Sequence, residues 1–191
     1  MNLKVVEIFH SIQGEGANFG MPAVFIRLAN CNKTCSFCDT DWSVGTDYSL
    51  VELKSILGEF NCKTIIWTGG EPTLQLTDEV LQHFPEYYHC IETNGSRPVP
   101  SLINYISCSP KVNPEQLLKN ISFAHELRFP IAIGDSLPDL SELPKADRYL
   151  VSPVFDDAEL NEENLEYCVL LVKNNPPWRL SVQVHKLLNV R

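Results

Sequence analysis

The chain has 191 residues, of which 44% are hydrophobic and 20% are charged, and its formal net charge is -9. This length suits one domain spanning residues 1–191. The acidic balance disfavours direct binding to nucleic acid, because no excess of basic residues is present to neutralise phosphates. No apolar run approaches the roughly 20 residues needed to cross a bilayer, and the N-terminus lacks the pattern of a signal peptide. We therefore expect a cytoplasmic protein that does not bind a membrane.

Apolar, β-branched runs predict eight strands along the chain. They cover residues 3–9, 23–29, 63–68, 87–93, 105–109, 127–133, 148–154 and 178–185. Several of these runs are too uniformly apolar for a strand with one face in water, which indicates strands covered on both faces.

Helical segments alternate with these strands. The first helix follows Ser49 and Glu52, which have the spacing of a capping box. Its apolar positions share one face and comprise Leu50, Leu53, Leu57 and Phe60. Three further helices are predicted at residues 74–84, 114–125 and 161–174. This alternation predicts a parallel sheet with helices outside it. A full eight-fold barrel needs about 250 residues, so the predicted fold is α/β, an incomplete TIM-like β/α barrel.

Polar residues and glycines collect where the predicted strands end. These ends are residues 30–31, 68–71, 92–95, 109–111, 152–153 and 183–185. Functional residues of parallel barrels gather at the carboxyl ends of the strands. The pattern therefore predicts one shared site at this end of the barrel.

Three cysteines, Cys31, Cys35 and Cys38, follow the apolar run 23–29 with the spacing C-x3-C-x2-C. Three thiolates on one loop can hold three irons of a cubane cluster, which normally takes four cysteines. The fourth iron is then open, and this indicates radical chemistry with S-adenosylmethionine. The alternative is a zinc site, but structural zinc takes four ligands and no second C-x2-C or H-x3-H pattern follows. A disulfide would leave one of the three cysteines unpaired.

The residues around the last cysteine allow two interpretations each. Phe37 can pack against the fold or shield a cluster from water. Asp39 and Thr40 can end the loop as polar caps or reach a hard cation such as magnesium, and spacing alone favours the cap. The four other cysteines lie singly in apolar surroundings, which indicates buried free thiols in a reducing compartment; they are Cys62, Cys90, Cys108 and Cys168.

Several motifs together resemble a known family. The cysteine loop and the sequence Thr-Gly-Gly-Glu-Pro at residues 68–72 are similar to the radical S-adenosylmethionine (SAM) superfamily. Four further stretches, residues 11–16, 25–28, 38–40 and 181–186, narrow the resemblance to the 7-carboxy-7-deazaguanine synthase family, which makes the deazapurine ring of queuosine precursors. The similarity extends over the whole chain, with the motifs in the order of the family. It implies an incomplete barrel of the radical SAM type.

The resemblance implies a role for each motif. Cys31, Cys35 and Cys38 would bind a 4Fe-4S cluster, and Thr40 would bind magnesium rather than cap the loop. The residues implied to contact SAM are Phe37, Cys38, Asp39, Gly70, Ser109, Pro110 and Lys111. Those implied to hold the substrate, 6-carboxy-5,6,7,8-tetrahydropterin, are Ile12, Gln13, Gly14, Glu15, Arg27, Thr68, Glu92, His185 and the terminal carboxylate of Arg191.

Physical chemistry is compatible with these roles but leaves alternatives. The planar fork of Arg27 suits the substrate carboxylate, yet an arginine in an apolar strand can also be a buried ion-pair partner. Glu15 and Glu92 can accept hydrogen bonds from ring N–H groups. His185, on a predicted terminal strand, can instead be a histidine of the core.

The resemblance also implies a reaction. A reduced cluster would donate an electron to SAM, and the resulting 5′-deoxyadenosyl radical would remove hydrogen from C6 of the pterin before ring contraction with loss of ammonia. A flavodoxin-like or ferredoxin-like protein would supply electrons, and similar proteins suggest a homodimer. Two other functions are considered: an activating enzyme for glycyl-radical enzymes, and a zinc-binding interaction module without catalysis.

Overall fold

The computed structural model describes residues 1–35, 38, 41–156 and 159–190. The strands are β1 Asn2–Ile12, β2 Pro22–Leu28, β3 Thr46–Ser49, β4 Thr64–Gly69, β5 Tyr88–Thr93, β6 Tyr105–Cys108, β7 Phe123–Ile131, β8 Lys145–Pro153 and β9 Trp178–Leu180. The helices are α1 Leu50–Gly58, α2 Asp78–Leu81, α3 Pro114–Asn120, α4 Glu162–Asn174 and α5 Val184–Leu188. In this part of the chain, no helix is long and apolar enough to cross a membrane.

The strands form one sheet in the order β3-β1-β2-β4-β5-β6-β7-β8-β9. From β2 to β9, all pairings are parallel, as predicted. The prediction of a parallel sheet is wrong at one edge, where β1 pairs antiparallel with both β2 and β3. The loop between β1 and β2 is the reason, since a parallel crossover needs about a dozen residues or more and this hairpin is shorter.

The main core lies between the first half of the sheet and α1. Leu53 and Leu57 of α1 pack with Ile26, Trp67 and Phe84, and all five side chains are buried. The predicted capping box starts this helix: Ser49 Oγ accepts from the backbone N–H of Glu52 at 3.2 Å, and the Glu52 carboxylate accepts from the backbone N–H of Ser49 at 2.8 Å. The prediction of free buried thiols is also confirmed for Cys62, Cys90, Cys108 and Cys168.

Two predicted helices differ from the structure in their boundaries, and one strand was not predicted. The helix predicted over 114–125 ends at Asn120, because the chain from Phe123 pairs with β8 along the whole of β7. The spacing of the buried residues Ile121, Ala124 and Leu127 imitates a helical face across this boundary. The helix predicted over 74–84 is reduced to a short 3-10 turn and α2. β3 was not predicted, since its four residues are mostly polar.

The strand predicted over 178–185 is also wrong at its end. β9 stops at Leu180, and His185 lies on the short helix α5. The backbone N–H of Ser181 still donates to the Val151 carbonyl of β8 at 2.8 Å, and the chain turns here because residues 181–184 also contact the loop between β1 and β2. Ser181 Oγ accepts from the backbone N–H of Gly16 at 2.9 Å, and the backbone N–H of Val184 donates to the carbonyl of Gly14 at 3.0 Å. These contacts join the two distant sides of the incomplete barrel.

Candidate active site

A cavity of about 810 Å³ lies at the carboxyl ends of the parallel strands. All six predicted strand ends contribute to its wall, with the residues Cys31, Thr68, Gly69, Gly70, Glu92, Thr93, Asn94, Ser109, Lys111, Ser152, Pro153, Gln183 and His185. The parallel order of the strands explains this convergence, since it places all these ends on one side of the sheet.

Two glycines bring the loop after β4 against the start of the cysteine loop. Gly69 has a φ of 135°, which favours glycine, and a Cβ on Gly70 would overlap the backbone carbonyl of Asn30. The backbone N–H of Gly70 donates to the Leu28 carbonyl at 3.1 Å, and that of Glu71 donates to the Asn30 carbonyl at 2.9 Å. The Gly-Gly-Glu sequence therefore extends the pairing beyond the end of β2.

Glu71 then links this loop to the end of β5. Its fully buried carboxylate accepts hydrogen bonds from Thr73 N at 3.0 Å and Thr73 Oγ1 at 2.6 Å. It also accepts from Thr93 Oγ1 at 2.8 Å and from the backbone N–H of Asn94 at 2.7 Å. Four donors satisfy the buried charge, so the glutamate of the motif acts as a brace between two loops.

Asparagines fix the first part of the cysteine loop. Asn94 Nδ2 donates to Asn32 Oδ1 at 3.1 Å and lies 4.0 Å from Cys31 Sγ. Asn32 Nδ2 in turn donates to Ser96 Oγ at 2.8 Å. The Asn-Gly-Ser segment after β5 thus positions the loop that bears the three thiols.

A charged network that was not predicted forms the opposite wall of the cavity. Its centre is Arg128 of β7, whose side chain is only 10% exposed. The Arg128 guanidinium contacts Glu15 Oε2 at 3.0 Å, Glu92 Oε2 at 2.7 Å and Glu126 Oε1 at 3.3 Å. The sequence holds a signal for it, since Glu126 and Arg128 lie on one face of an otherwise apolar strand, as a buried ion pair would.

The network shifts the pKa values of its members. Burial raises the pKa of the Glu92 carboxyl, while the charge of Arg128 opposes this rise. Burial alone would lower the pKa of Arg128, but the charges of Glu15, Glu92 and Glu126 outweigh it and raise that pKa above its usual value. Arg128 is therefore a permanent cation among three carboxylates.

Further contacts orient the two carboxylates that line the cavity. Gln13 Nε2 donates to Glu92 Oε1 at 2.9 Å, and Ser107 Oγ donates to Glu92 Oε2 at 2.8 Å. Gln183 Nε2 donates to Glu15 Oε1 at 3.0 Å. Ile12, Gly14 and Thr68 also line the cavity.

Arg27 is an ion-pair partner whose side chain is only partly buried, and its role toward a substrate carboxylate stays a prediction. It lines the cavity, and its Nε donates to Glu7 Oε1 at 2.8 Å in an ion pair. Beside it, the rings of Phe9 and Phe25 stack with centroids 5.0 Å apart and an interplanar angle of 2°. Sequence reasoning did not single out this aromatic pair as part of the site, because both residues belong to ordinary apolar strands.

Comparison with known proteins decides the family. A model described as the Radical SAM superfamily matches residues 25–107. A protein of Bacteroides thetaiotaomicron named 7-carboxy-7-deazaguanine synthase is 38% identical over 193 residues, which cover 100% of both chains. Proteins with the same name from Haemophilus influenzae and Neisseria meningitidis serogroup B are 39% and 38% identical; the matches cover 99% and 96% of this chain and 94% and 92% of theirs. This chain belongs to the 7-carboxy-7-deazaguanine synthase family.

The fold agrees with this membership. The crystal structure of QueE from Escherichia coli matches with a TM-score of 0.70 over 97% of this chain and 95% of that chain, at 24% identity. The prediction of a partial TIM-like barrel of the radical SAM type is therefore confirmed, although its antiparallel edge was not predicted.

The cofactors of a radical SAM enzyme are a 4Fe-4S cluster and SAM, and the cavity fits a cluster of this kind. Cys31, Cys35 and Cys38 all line it. Burial raises the pKa of the Cys31 thiol, and the two other thiols raise it further, so the three lie within electrostatic range of one another. Among the residues that the structure describes, no three His, Cys, Asp or Glu side chains converge to hold a single ion. A cubane does not require such convergence, because each thiolate binds a different iron.

The structure places the remaining residues implied for the family as follows. Gly70, Ser109 and Lys111 line the cavity, and Lys111 Nζ donates to Ser109 Oγ at 3.0 Å. Pro110, between these two residues, is not among the residues that line it. Phe37, Asp39, Thr40 and Arg191 lie outside the described residues. Trp42, beyond the cysteines, does reach the cavity.

Proposed function

We propose that this chain converts 6-carboxy-5,6,7,8-tetrahydropterin to 7-carboxy-7-deazaguanine by radical ring contraction with loss of ammonia, in 7-deazapurine and queuosine biosynthesis. The observation that supports this most directly is one cavity that joins three thiols to an arginine and a pair of acidic side chains. Membership of the 7-carboxy-7-deazaguanine synthase family gives this cavity its reaction. The enzyme is a radical SAM carbon–nitrogen lyase.

The cavity divides into a cofactor side and a substrate side. On the cofactor side, Cys31, Cys35 and Cys38 would bind the cluster. The cluster and SAM together would supply a 5′-deoxyadenosyl radical. Gly70 presents backbone rather than a side chain on this side, which allows a ligand to approach closely. Holding the two ligands in one cavity limits the access of water and other hydrogen donors to the reaction.

On the substrate side, charges match the pterin. Arg27 lines the cavity with a planar guanidinium suited to the 6-carboxylate. Glu15 and Glu92 accept hydrogen bonds from the N–H groups of the pyrimidine ring. Gln13 and His185, from the loop after β1 and from α5, complete the pocket from the side of the barrel closure.

Further components belong to the same proposal. Thr40 provides a hydroxyl oxygen to Mg²⁺, which prefers oxygen ligands, and Arg191 reaches the substrate through its terminal carboxylate. Phe37, Cys38, Asp39 and the segment 109–111 contact SAM. A single domain of residues 1–191 acts as a homodimer in the cytoplasm, with electrons from a flavodoxin-like or ferredoxin-like protein.

Anaerobic reconstitution with iron and sulfide tests the proposal directly. The protein should turn brown and, with SAM, Mg²⁺, dithionite and the carboxytetrahydropterin, should form 7-carboxy-7-deazaguanine, measured by mass spectrometry. Cys35→Ala should abolish both cluster binding and turnover, whereas Cys62→Ala, at a thiol remote from the cavity, should retain both. Product formation by Cys35→Ala would contradict the assignment. Cleavage of SAM without ring-contracted product would favour the glycyl-radical activating function, and uptake of zinc alone would favour the interaction module.

Arg27→Ala tests the substrate side separately. Loss of a charge-assisted contact to the carboxylate should raise KM by about 10-fold to 100-fold, while the iron content stays unchanged. Glu7→Gln is the matched control, because it removes the ion-pair partner and keeps the guanidinium. Equal KM values in wild type and Arg27→Ala would refute the role of Arg27.

A further inference from the structure

We propose that Arg128 is a positioning residue that aligns Glu15 with Glu92 and keeps Glu92 ionised, so that the cavity selects a ring whose edge presents N–H donors. This inference deepens the proposed function and rests on it for the identity of the ring. It adds a residue outside the motifs that identify the family.

The first support for the inference is the geometry of the ion pairs that Arg128 makes. Arg128 uses different nitrogens for its partners: Nε contacts Glu15 Oε2 and NH2 contacts Glu92 Oε2. The other oxygen of each carboxylate accepts from a glutamine, Gln183 for Glu15 and Gln13 for Glu92. Glu15 comes from the loop after β1 and Glu92 from the end of β5, and Arg128 is the group that they share.

Charge supports it second. Glu126, 2% exposed, contacts NH1 of Arg128, accepts from the backbone N–H of Ala17 and does not line the cavity. Three carboxylates therefore surround one cation in a largely buried region. Without this cation, burial and mutual repulsion would favour protonation of Glu92, whose pKa is already raised by burial. A protonated carboxyl presents an O–H donor where the ring needs an acceptor.

Other titratable groups lie close to this network, and their pKa values bear on the pH profiles measured below. Burial raises the pKa of Tyr105, and raises the pKa of Cys90 and of Cys108 to about 12 each, so none of them ionises near neutral pH. Burial lowers the pKa of Lys111. Lys111 and His185 also line the cavity and remain in every variant below, and the charge of Arg128 contributes to the lowered pKa of Lys111.

Ligand binding to the reconstituted, unreduced enzyme tests the inference without turnover. The probe is 6-carboxypterin, the oxidised ring, whose fluorescence reports binding. In Arg128→Met, the pH at which affinity reaches half its maximum should move upward by about 1 to 3 units relative to wild type. Arg128→Lys keeps the positive charge but loses the planar guanidinium. The pH profile of its binding affinity should therefore keep the wild-type midpoint, with binding weaker by about 10-fold. Arg179→Met, at an exposed arginine of β9, should match wild type.

Selectivity gives a second measurement. The probe 6-carboxylumazine has an oxo group in place of the 2-amino group, so it presents an acceptor to the carboxylates. Wild type should prefer 6-carboxypterin by about 10-fold or more, and Arg128→Met at neutral pH should lose most of this preference. An unchanged midpoint and an unchanged preference in Arg128→Met would overturn the inference.

Infrared spectroscopy separates this result from failure of the proposed function. The band of a protonated carboxyl group should appear in Arg128→Met at neutral pH and disappear in Glu92→Gln/Arg128→Met. If this band is absent in Arg128→Met, the inference is contradicted, whether or not wild type binds pterin. If wild type binds no pterin, that result contradicts only the proposed function. If Arg128→Met does not fold, Glu126→Gln/Arg128→Met removes one buried negative charge and takes its place in each measurement.

Discussion

Glu71 shows how a single side chain can stabilise a reactive loop without taking part in the chemistry. Its carboxylate is fully buried and accepts four hydrogen bonds that join the loop after β4 to the end of β5. The same β5 end presents Asn94 to the cysteine loop. The glutamate of the Gly-Gly-Glu-Pro motif is therefore explained by structure rather than by contact with a ligand.

Glu71→Gln should weaken this brace. The amide offers one acceptor oxygen instead of two, so at least one buried N–H donor loses its partner, at a cost of about 1 to 3 kcal/mol. Urea unfolding of the reconstituted protein under anaerobic conditions measures the loss. Glu79→Gln, at an exposed position of α2, should change the unfolding free energy by less than about 0.5 kcal/mol. Equal stability of Glu71→Gln and wild type would show that the four contacts do not constrain the loop.

The residue scale also shows what a sequence can reveal about a site. The cysteine triad and the glycines are recognisable because they are rare types at fixed spacing, and they lie where the strand ends predict. Arg128 was missed because its meaning depends on Glu15 and Glu92, which are far from it in sequence and adjacent only after folding. Arg27 was ambiguous for the same reason, since Glu7 becomes its neighbour through the β1–β2 pairing.

Elements with complete local signals were predicted well. The capping box marks the start of α1, and the predicted start of α3 at Pro114 agrees with the structure. Elements whose ends depend on tertiary partners were predicted poorly. β3 is defined only by its pairing with β1, and the end of β9 is defined by the contacts of residues 181–184 with the opposite loop.

The start of α4 depends on a buried asparagine. Asn164 Oδ1 accepts from the backbone N–H of Ile133 at 2.8 Å, and its Nδ2 donates to the Val154 carbonyl at 2.9 Å. Asn164→Ala should leave both backbone groups without these partners and lower the unfolding free energy by about 2 to 3 kcal/mol. Thermal unfolding measures this, with the exposed Glu163→Gln as the control. A variant as stable as wild type would mean that α4 is held by its apolar face alone.

The position of α5 depends on a glycine in the opposite loop. A Cβ on Gly14 would overlap the side chain of His185, including its Cβ, so Gly14→Ala should displace α5. We expect faster tryptic cleavage after Lys186 and a turnover lower by up to about 100-fold, because the pocket loses its alignment. Gly58→Ala, where nothing lies within 4 Å of the added atom, is the control. Unchanged proteolysis and turnover in Gly14→Ala would show that α5 can shift without effect on the site.

At the scale of the whole molecule, the sheet order and the convergence of strand ends follow from an alternating pattern that the sequence displays. The closure of the barrel does not, since its partners are the loop 13–17 and residues 181–184, which have no periodic pattern. The charged network is located at this closure. The contacts that close the barrel and the charged side chains of the cavity therefore lie in one region, so that the charges also affect the stability of the fold.

This coupling predicts a pH dependence of stability. The pKa of Glu92 is about 4.3 in an unfolded chain and is raised by burial in the folded protein. Between these two values the folded state binds more protons, so the contribution of Glu92 to stability is lost as the pH rises through this window. Glu92→Gln should therefore be more stable than wild type above the window and should bind the substrate less tightly. Melting temperatures from about pH 5 to pH 9 test this; parallel curves for the two proteins would refute it.

The contacts of Gly16 with Ser181 and of Glu15 with Gln183 have a consequence for the synthesis of the protein on the ribosome. A ribosome makes the cysteine loop and the first half of the sheet early, but the cavity wall is completed only after residues 183–186 emerge, because Gln183, His185 and Lys186 line it. A nascent chain without these residues therefore lacks the contacts that join the two sides of the barrel. The cavity in which the reaction takes place is therefore complete only late in synthesis.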